Sequence, residues 1–183
     1  MKQIFQAETA VQIASARALF REYEKWLGLD LCFQGFEDEL ENLPGKYAPP
    51  EGRLYLLNYN EHLSGCIALR KLKNDVCEMK RLYIRQNARG QGLGNTLIKK
   101  LIEEARQMGY TKMRLDTYPP KMAKAVKLIN LTTSGKSRPT MRIRTTACFL
   151  WRWFYKECLV SLTAKITHVS LNLLSNGIFF LLF

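Results

Sequence analysis

Residues 79–95 read Met79-Lys80-Arg81-Leu82-Tyr83-Ile84-Arg85-Gln86-Asn87-Ala88-Arg89-Gly90-Gln91-Gly92-Leu93-Gly94-Asn95. This is the pattern of a strand, a tight glycine loop and the start of a helix. Glycines at 90, 92 and 94 let the backbone pass close to a ligand, because no Cβ stands in the way. After them Leu93, Leu97, Ile98, Leu101, Ile102, Ala105 and Met108 recur at helical spacing. Gly109 sits where a left-handed cap ends such a helix. A first turn nearly free of side chains offers N–H groups and a positive dipole end to an anion. Arg89 adds a positive charge beside it. The chemistry implied is a phosphate cradle.

Spacing narrows the kind of cradle. A Walker loop ends in Gly-Lys-Ser/Thr, whereas Gly94 is followed by Asn95-Thr96. The dinucleotide fingerprint requires a third glycine where Asn95 stands. What remains is Arg-x-x-Gly-x-Gly, met by Arg89, Gly92 and Gly94. Upstream, Arg53–Tyr59 and Leu63–Lys71 alternate like strands around Asn60-Glu61-His62, a hairpin signal. Lys73-Asn74-Asp75 turns the chain into Val76–Ile84. Three antiparallel strands therefore lead into the glycine loop, and Thr111–Thr117 forms the next strand.

Nearer the N-terminus, Gln3–Ala7 reads as a strand and Thr9 as the cap of a helix reaching Trp26. Its expected buried stripe is Val11, Ile13, Ala14, Ala18, Leu19, Tyr23 and Trp26. Gly35–Leu43 carries Phe36 and Leu40 among Glu37, Asp38, Glu39 and Glu41, the pattern of a short solvated helix. Pro119 suits the first turn of a further helix, with Met122, Ala123, Val126 and Leu128 on one side.

The net charge is +12 over 183 residues, but it is unevenly placed. Residues 1–130 hold 21 basic and 15 acidic residues, and residues 131–183 hold 7 and 1, so each part contributes +6. No basic face with interleaved aromatics occurs in the first 130 residues, so no nucleic-acid partner is expected. The five cysteines lack C-x-x-C spacing and the two histidines stand far apart, so neither a metal site nor a disulfide framework is expected. With no apolar signal core after Met1, the expectation is a cytoplasmic protein.

The Arg89–Asn95 loop together with Lys80-Arg81-Leu82-Tyr83-Ile84 closely resembles the acetyl-CoA-binding motif of the GNAT N-acetyltransferases. Gly65-Cys66-Ile67-Ala68-Leu69-Arg70, the run Cys77-Glu78-Met79-Lys80-Arg81-Leu82-Tyr83 and the strand end Leu115-Asp116-Thr117 match the same family. The resemblance covers about residues 1–129. It implies an α/β (α+β) GNAT acyl-CoA N-acyltransferase fold, with a mixed, mostly antiparallel sheet flanked by helices.

The resemblance also implies acetyl-CoA as co-substrate, no metal, and a small-molecule amine or amino-acid-like acceptor, and it leaves a homodimer open. Leu82, Tyr83 and Ile84 would pair their backbone with the pantetheine arm. The Arg89, Gly90, Gln91, Gly92, Leu93, Gly94, Asn95 loop would hold the pyrophosphate, through N–H groups of Gln91, Gly92, Gly94 and Asn95. Glu78 takes the position where many members place the catalytic base. Its competing reading is an ion pair with Arg70 or Lys80. The acidic segment after Gly35 often lines the acceptor site in this fold, where it would attract a cationic amine.

From Asn130 the family pattern stops, giving an expected division into 1–129 and 130–183. The family's usual proton-donating tyrosine is replaced by Ile129, and the two closing strands are not recognisable. A remnant that only binds coenzyme A is the rival reading. Ser134–Arg144 reads as basic and turn-like. Ile166–Phe183 lacks Asp, Glu, Lys and Arg, long enough for a span, but His168, Asn172, Asn176 and three further Ser/Thr argue against a membrane anchor. Codons permitted for Gly135–Lys156, read from the third base, spell a peptide resembling the family's closing strands. The expectation is a reading-frame shift near residues 128–135, which the gene's nucleotide sequence decides.

Overall fold

The computed structural model describes residues 1–28, 31, 35–117 and the strand at 142–147. The expected helix after Pro119, the boundary at Asn130, Ile129 and the segment Ile166–Phe183 lie outside these residues. Strand β1 (Lys2–Gln6) leads into α1 (Ala10–Leu27), α2 (Phe36–Glu41) and a 3-10 turn at Gly45–Tyr47. Then come β2 (Arg53–Tyr59), β3 (His62–Lys73), β4 (Val76–Ile84), a second 3-10 turn at Gln86–Ala88, α3 (Leu93–Gln107), β5 (Lys112–Thr117) and β6 (Arg142–Ala147). The strands line up in chain order in one sheet. Neighbours from β1 to β4 are antiparallel, and β4 and β5 are parallel. The chain divides into two units, Met1–Thr146 and Ala147–Phe183, and all three helices and strands β1 to β5 belong to the first.

Local chemistry accounts for the element ends. Thr9 accepts from the Gln12 N–H while the Gln12 side chain accepts from the Thr9 N–H, a reciprocal cap, and Gly28 closes α1 at φ 64°. Asn60 and Glu61 both hold positive φ between Tyr59 and His62, the two-residue turn that matches strand twist. Gly109, at φ 85°, lets the chain reverse after α3, with the Tyr110 N–H returned to the Ala105 carbonyl.

Each sheet face has its own core. Leu93, Leu97, Ile98, Leu101, Ile102 and Ala105 of α3 pack on Leu57, Ile67, Leu69, Cys77, Met79 and Leu115. The opposite face receives α1 and α2, with Phe20, Tyr23, Phe36 and Leu40 over Leu54, Leu56, Cys66, Ala68 and Tyr83.

Three expectations are corrected. The buried stripe of α1 is Ile13, Ala16, Leu19, Phe20, Tyr23 and Leu27, while Val11, Ala14 and Ala18 are exposed. The inward residues recur at 3- and 4-residue steps on one side of the helix, and Val11, Ala14 and Ala18 fall off that stripe. The acids of α2 are not all solvated: Glu39 points inward to Arg81, and Glu37 pairs with Arg21. Finally, part of the segment read as turn-like ends in β6, next to β5; β-branched Ile143, Thr145 and Thr146 favour extended backbone there.

Glu39 and Arg81 join the helical layer to the sheet. Arg81 Nε and Nη2 donate to Glu39 Oε1 and Oε2 at 2.7 and 2.8 Å, and the Tyr47 hydroxyl donates to Oε1 at 3.0 Å. The guanidinium also lies 4.8 Å from the Phe36 ring centroid and 5.9 Å from that of Tyr23. Burial raises the Glu39 pKa, but the Arg81 fork, its charge and the Tyr47 hydroxyl outweigh it and hold the carboxyl below its usual value. Removing one charge from such a pair strands the other. Glu39→Gln is expected to cost about 3–5 kcal/mol in urea unfolding at neutral pH. Because the folded pKa is the lower one, the pair's stabilisation is present above the ordinary glutamate range and is lost as pH falls through the folded value. The acid limb of the stability–pH curve should therefore be shallower in Glu39→Gln than in the parent.

Candidate functional site: an open strand edge beside a glycine loop

The central feature is a bulge in β4. Cys66 faces Tyr83 and Ala68 faces Lys80, so two steps along β3 are matched by three along β4. Arg81 takes φ 56°, a left-handed conformation unusual for a residue with a Cβ. Just before the bulge, the ladder between β4 and β5 ends at the pair Met79 and Leu115. From there to Ile84, β4 shows no pairing with β5 among the described residues, so the edge at Leu82, Tyr83 and Ile84 is left for another partner. An unpaired strand edge is a template for an extended amide-bearing chain.

On the other edge of the same segment, Gly65 brings β3 close. A Cβ there would stand 2.5 Å from the Tyr83 carbonyl oxygen and 2.5 Å from Ile84 Cδ1. Glycine at 65 is thus required by the approach of β4. Gly65→Ala should push Tyr83 and Ile84 outward and destabilise the fold by about 1–3 kcal/mol, measurable as a lower urea midpoint.

The loop continues from this edge. Arg85 forks onto Glu22 of α1 at 2.9 and 2.6 Å and donates to the Leu63 carbonyl at 2.7 Å. Arg89 Nε donates to the Ile84 carbonyl at 2.9 Å, and its guanidinium lies 4.6 Å from the Trp26 ring and 5.9 Å from that of Tyr83. The positive charge expected beside the cradle is therefore held on two aromatic faces. Lys2 of β1 donates to the Gln91 carbonyl at 3.0 Å. Gly92 is the N-cap of α3 at φ 71°, no side chain caps the helix, and the Gly92 carbonyl accepts from Thr96. Gly90 holds φ 85°, and a Cβ at Gly90 or Gly92 would meet no atom within 4 Å. The loop's outer side is open space in front of a helix N-terminus, which suits an anion.

Glu78 stands three residues before the bulge, about 10 Å along the strand. Its Oε2 accepts from Arg70 Nε at 2.5 Å, and the carboxylate is nearly buried. The ion pair with Arg70 anticipated as its competing reading is present. The site thus brings together Leu82, Tyr83, Ile84 and the Arg89–Asn95 loop, with Glu78 on the adjoining, upstream stretch of the same strand. Sequence reading missed the roles of Trp26, Lys2 and Glu39. The first had a signal, an aromatic at the end of α1; the other two act across more than forty residues and had none.

The profile of the family described as Acetyltransferase (GNAT) family matches residues 14–131. A relative from Schizosaccharomyces pombe, described as an uncharacterized N-acetyltransferase, is 42% identical over 104 residues, 55% of this chain and 63% of its own length. The chain thus spans less than two thirds of that relative. Among solved structures, a GNAT-family acetyltransferase from Staphylococcus aureus aligns with TM-score 0.60 at 18% identity, over 72% of this chain and 83% of the other. A structure from Clostridium acetobutylicum, described as a predicted acetyltransferase with acetyl-CoA, aligns with TM-score 0.59 at 12% identity, over 75% of this chain and 92% of the other. The chain therefore has the fold of these acyltransferases, with a bulged strand, an open edge and a glycine loop at a helix start. The chain belongs to the GNAT acetyltransferase family.

Proposed function

We propose that the chain is an acetyl-CoA-dependent N-acetyltransferase acting on a small, amino-acid-like amine. The observation that carries this reading is the end of the β4–β5 ladder at Met79 and Leu115, beside the uncapped N-terminus of α3. The Clostridium structure with acetyl-CoA supports the choice of donor. Backbone groups of Leu82, Tyr83 and Ile84 bind the coenzyme's amide-bearing arm. N–H groups of Gln91, Gly92, Gly94 and Asn95 face its pyrophosphate, with Gly90 and Leu93 shaping the loop and Arg89 pinning it to Tyr83 and Trp26. The bound coenzyme supplies an acetyl thioester. Glu78 accepts a proton from the acceptor ammonium, directly or through water, so that a neutral nitrogen attacks.

Gly92→Glu is expected to abolish acetyl-CoA binding in calorimetry, because it places bulk and negative charge at the pyrophosphate position. Gly92→Asn, whose side chain tolerates left-handed backbone, serves as the control and should retain binding. Unchanged affinity in Gly92→Glu would remove the site. Binding without turnover of any amine would favour a coenzyme-binding remnant instead.

Glu78→Gln should lower the acetylation rate most near neutral pH and progressively less at high pH, where solvent already deprotonates the amine. A loss equal at every pH would assign Glu78 a structural role through Arg70.

A further inference from the structure

The sheet face opposite α3 carries a row of three ionisable residues on adjacent strands. Arg70 of β3 is in register with Glu78 of β4, and Glu78 is in register with Arg114 of β5. Residues in register project to the same side of a sheet. Their neighbours Leu69, Met79 and Leu115 are buried under α3, which places all three charged side chains on the other face. The row adjoins the last rung of the β4–β5 ladder, where the open edge begins.

The three groups are unequally satisfied. Arg70 spends Nε on Glu78 Oε2, and among the described residues its two terminal nitrogens make no hydrogen bond. A guanidinium bound through Nε alone still presents its end-on pair of N–H groups, the geometry that grips a carboxylate in two places. Among the described residues Arg114 is exposed and makes no ion pair or hydrogen bond. Two cations therefore flank one anion, and the row carries a net positive charge. Two of the four acids of α2 are already paired, Glu39 with Arg81 and Glu37 with Arg21.

We propose that this row is the acceptor site and that it selects an α-amino acid by binding both its charges, the carboxylate on Arg70 and Arg114 and the ammonium on Glu78. The inference rests on the proposed acetyl transfer and assigns its substrate class. A lone carboxylate would recruit any amine; the two arginines add the requirement for an anion next to the nitrogen. Binding holds the ammonium against the base and near the open edge. Glu78 takes one proton, and the nitrogen lone pair attacks the thioester carbonyl carbon. The C–N bond forms and the C–S bond breaks with its electron pair on sulfur. The second nitrogen proton ends on the thiolate, and Glu78 returns its proton to water. The products are the N-acetylated amino acid and the free thiol.

The test uses the full chain saturated with coenzyme A. Alanine, leucine and aspartate are titrated by calorimetry, each beside its amide and its decarboxylated amine, and the same series is assayed for thiol release with acetyl-CoA. The carboxylate forms should bind at least about tenfold more tightly than their amides, the worth of one charge-assisted hydrogen bond. Arg114→Gln, at an exposed position that leaves the core intact, should erase most of that preference by raising KM more than it lowers kcat. It should leave coenzyme A affinity unchanged, and Arg114→Lys should restore part of the preference. Equal affinity for acid and amide overturns the proposal. So does a preference that survives both Arg114→Gln and Arg70→Gln, or coenzyme A binding with no affinity for any amino acid. Failure of coenzyme A to bind overturns the acetyl-transfer reading, and this inference with it; the coenzyme titration reports that failure separately.

Discussion

The buried fork between Arg81 and Glu39 is the interaction on which the site geometry rests. Arg81 occupies the bulge of β4 in a backbone conformation that costs a residue with a Cβ about 1–2 kcal/mol. Such a conformation persists only where surrounding contacts over-determine it. Here they come from three directions, the carboxylate of α2 and the rings of Phe36 and Tyr23, and the Tyr47 hydroxyl in turn donates to that carboxylate. The bulge shifts the pairing of β4 with β3, and the pairing with β5 ends at Met79, two residues before Arg81. One ion pair therefore ties the packing of a helix to the position of an open strand edge.

The sheet also separates two kinds of chemistry. The face under α3 is apolar almost throughout and fixes the helix that offers its N-terminus to an anion. The opposite face mixes a hydrophobic core under α1 with the charged rows of β3, β4 and β5. Alternation along β4, shifted by one residue at the bulge, sends Met79 and Leu82 to the first face and Glu78 and Tyr83 to the second. In the proposed reading, coenzyme grip and acceptor recognition share one strand, the first at its open edge and the second on the face opposite α3.

What could be read in the sequence was local. The glycine loop, the apolar stripe of α3, its Gly109 stop, and the strands β2 and β4 with their bounds all derive from spacing within a few turns or one hairpin. The family profile agrees with the motifs that carried the resemblance. What escaped was long-range or degenerate. Several registers of apolar residues fit α1, and only contact with the sheet decides among Val11, Ala14 and Ala16. Glu39 looks like any other acid of a short helix until Arg81 is placed beside it. The bulge carries no glycine or other signal, because tertiary contacts hold it. Within the site, the residue identities of the loop and edge were legible, whereas the row formed with Arg114 required strand register.

The antiparallel meander from β2 to β4 has a consequence for the order of assembly. Its two tight turns join neighbours in sequence, so those strands need little loop closure and can pair early. Seating β1 against β2 must close the long segment that contains α1 and α2. The Arg81–Glu39 contact, separated by 42 residues in the chain, depends on the same closure. The strand that carries the site therefore forms among the first elements, while the bulge that opens its edge is locked only when the N-terminal helices dock. A chain caught between these stages would have its sheet but not its open edge.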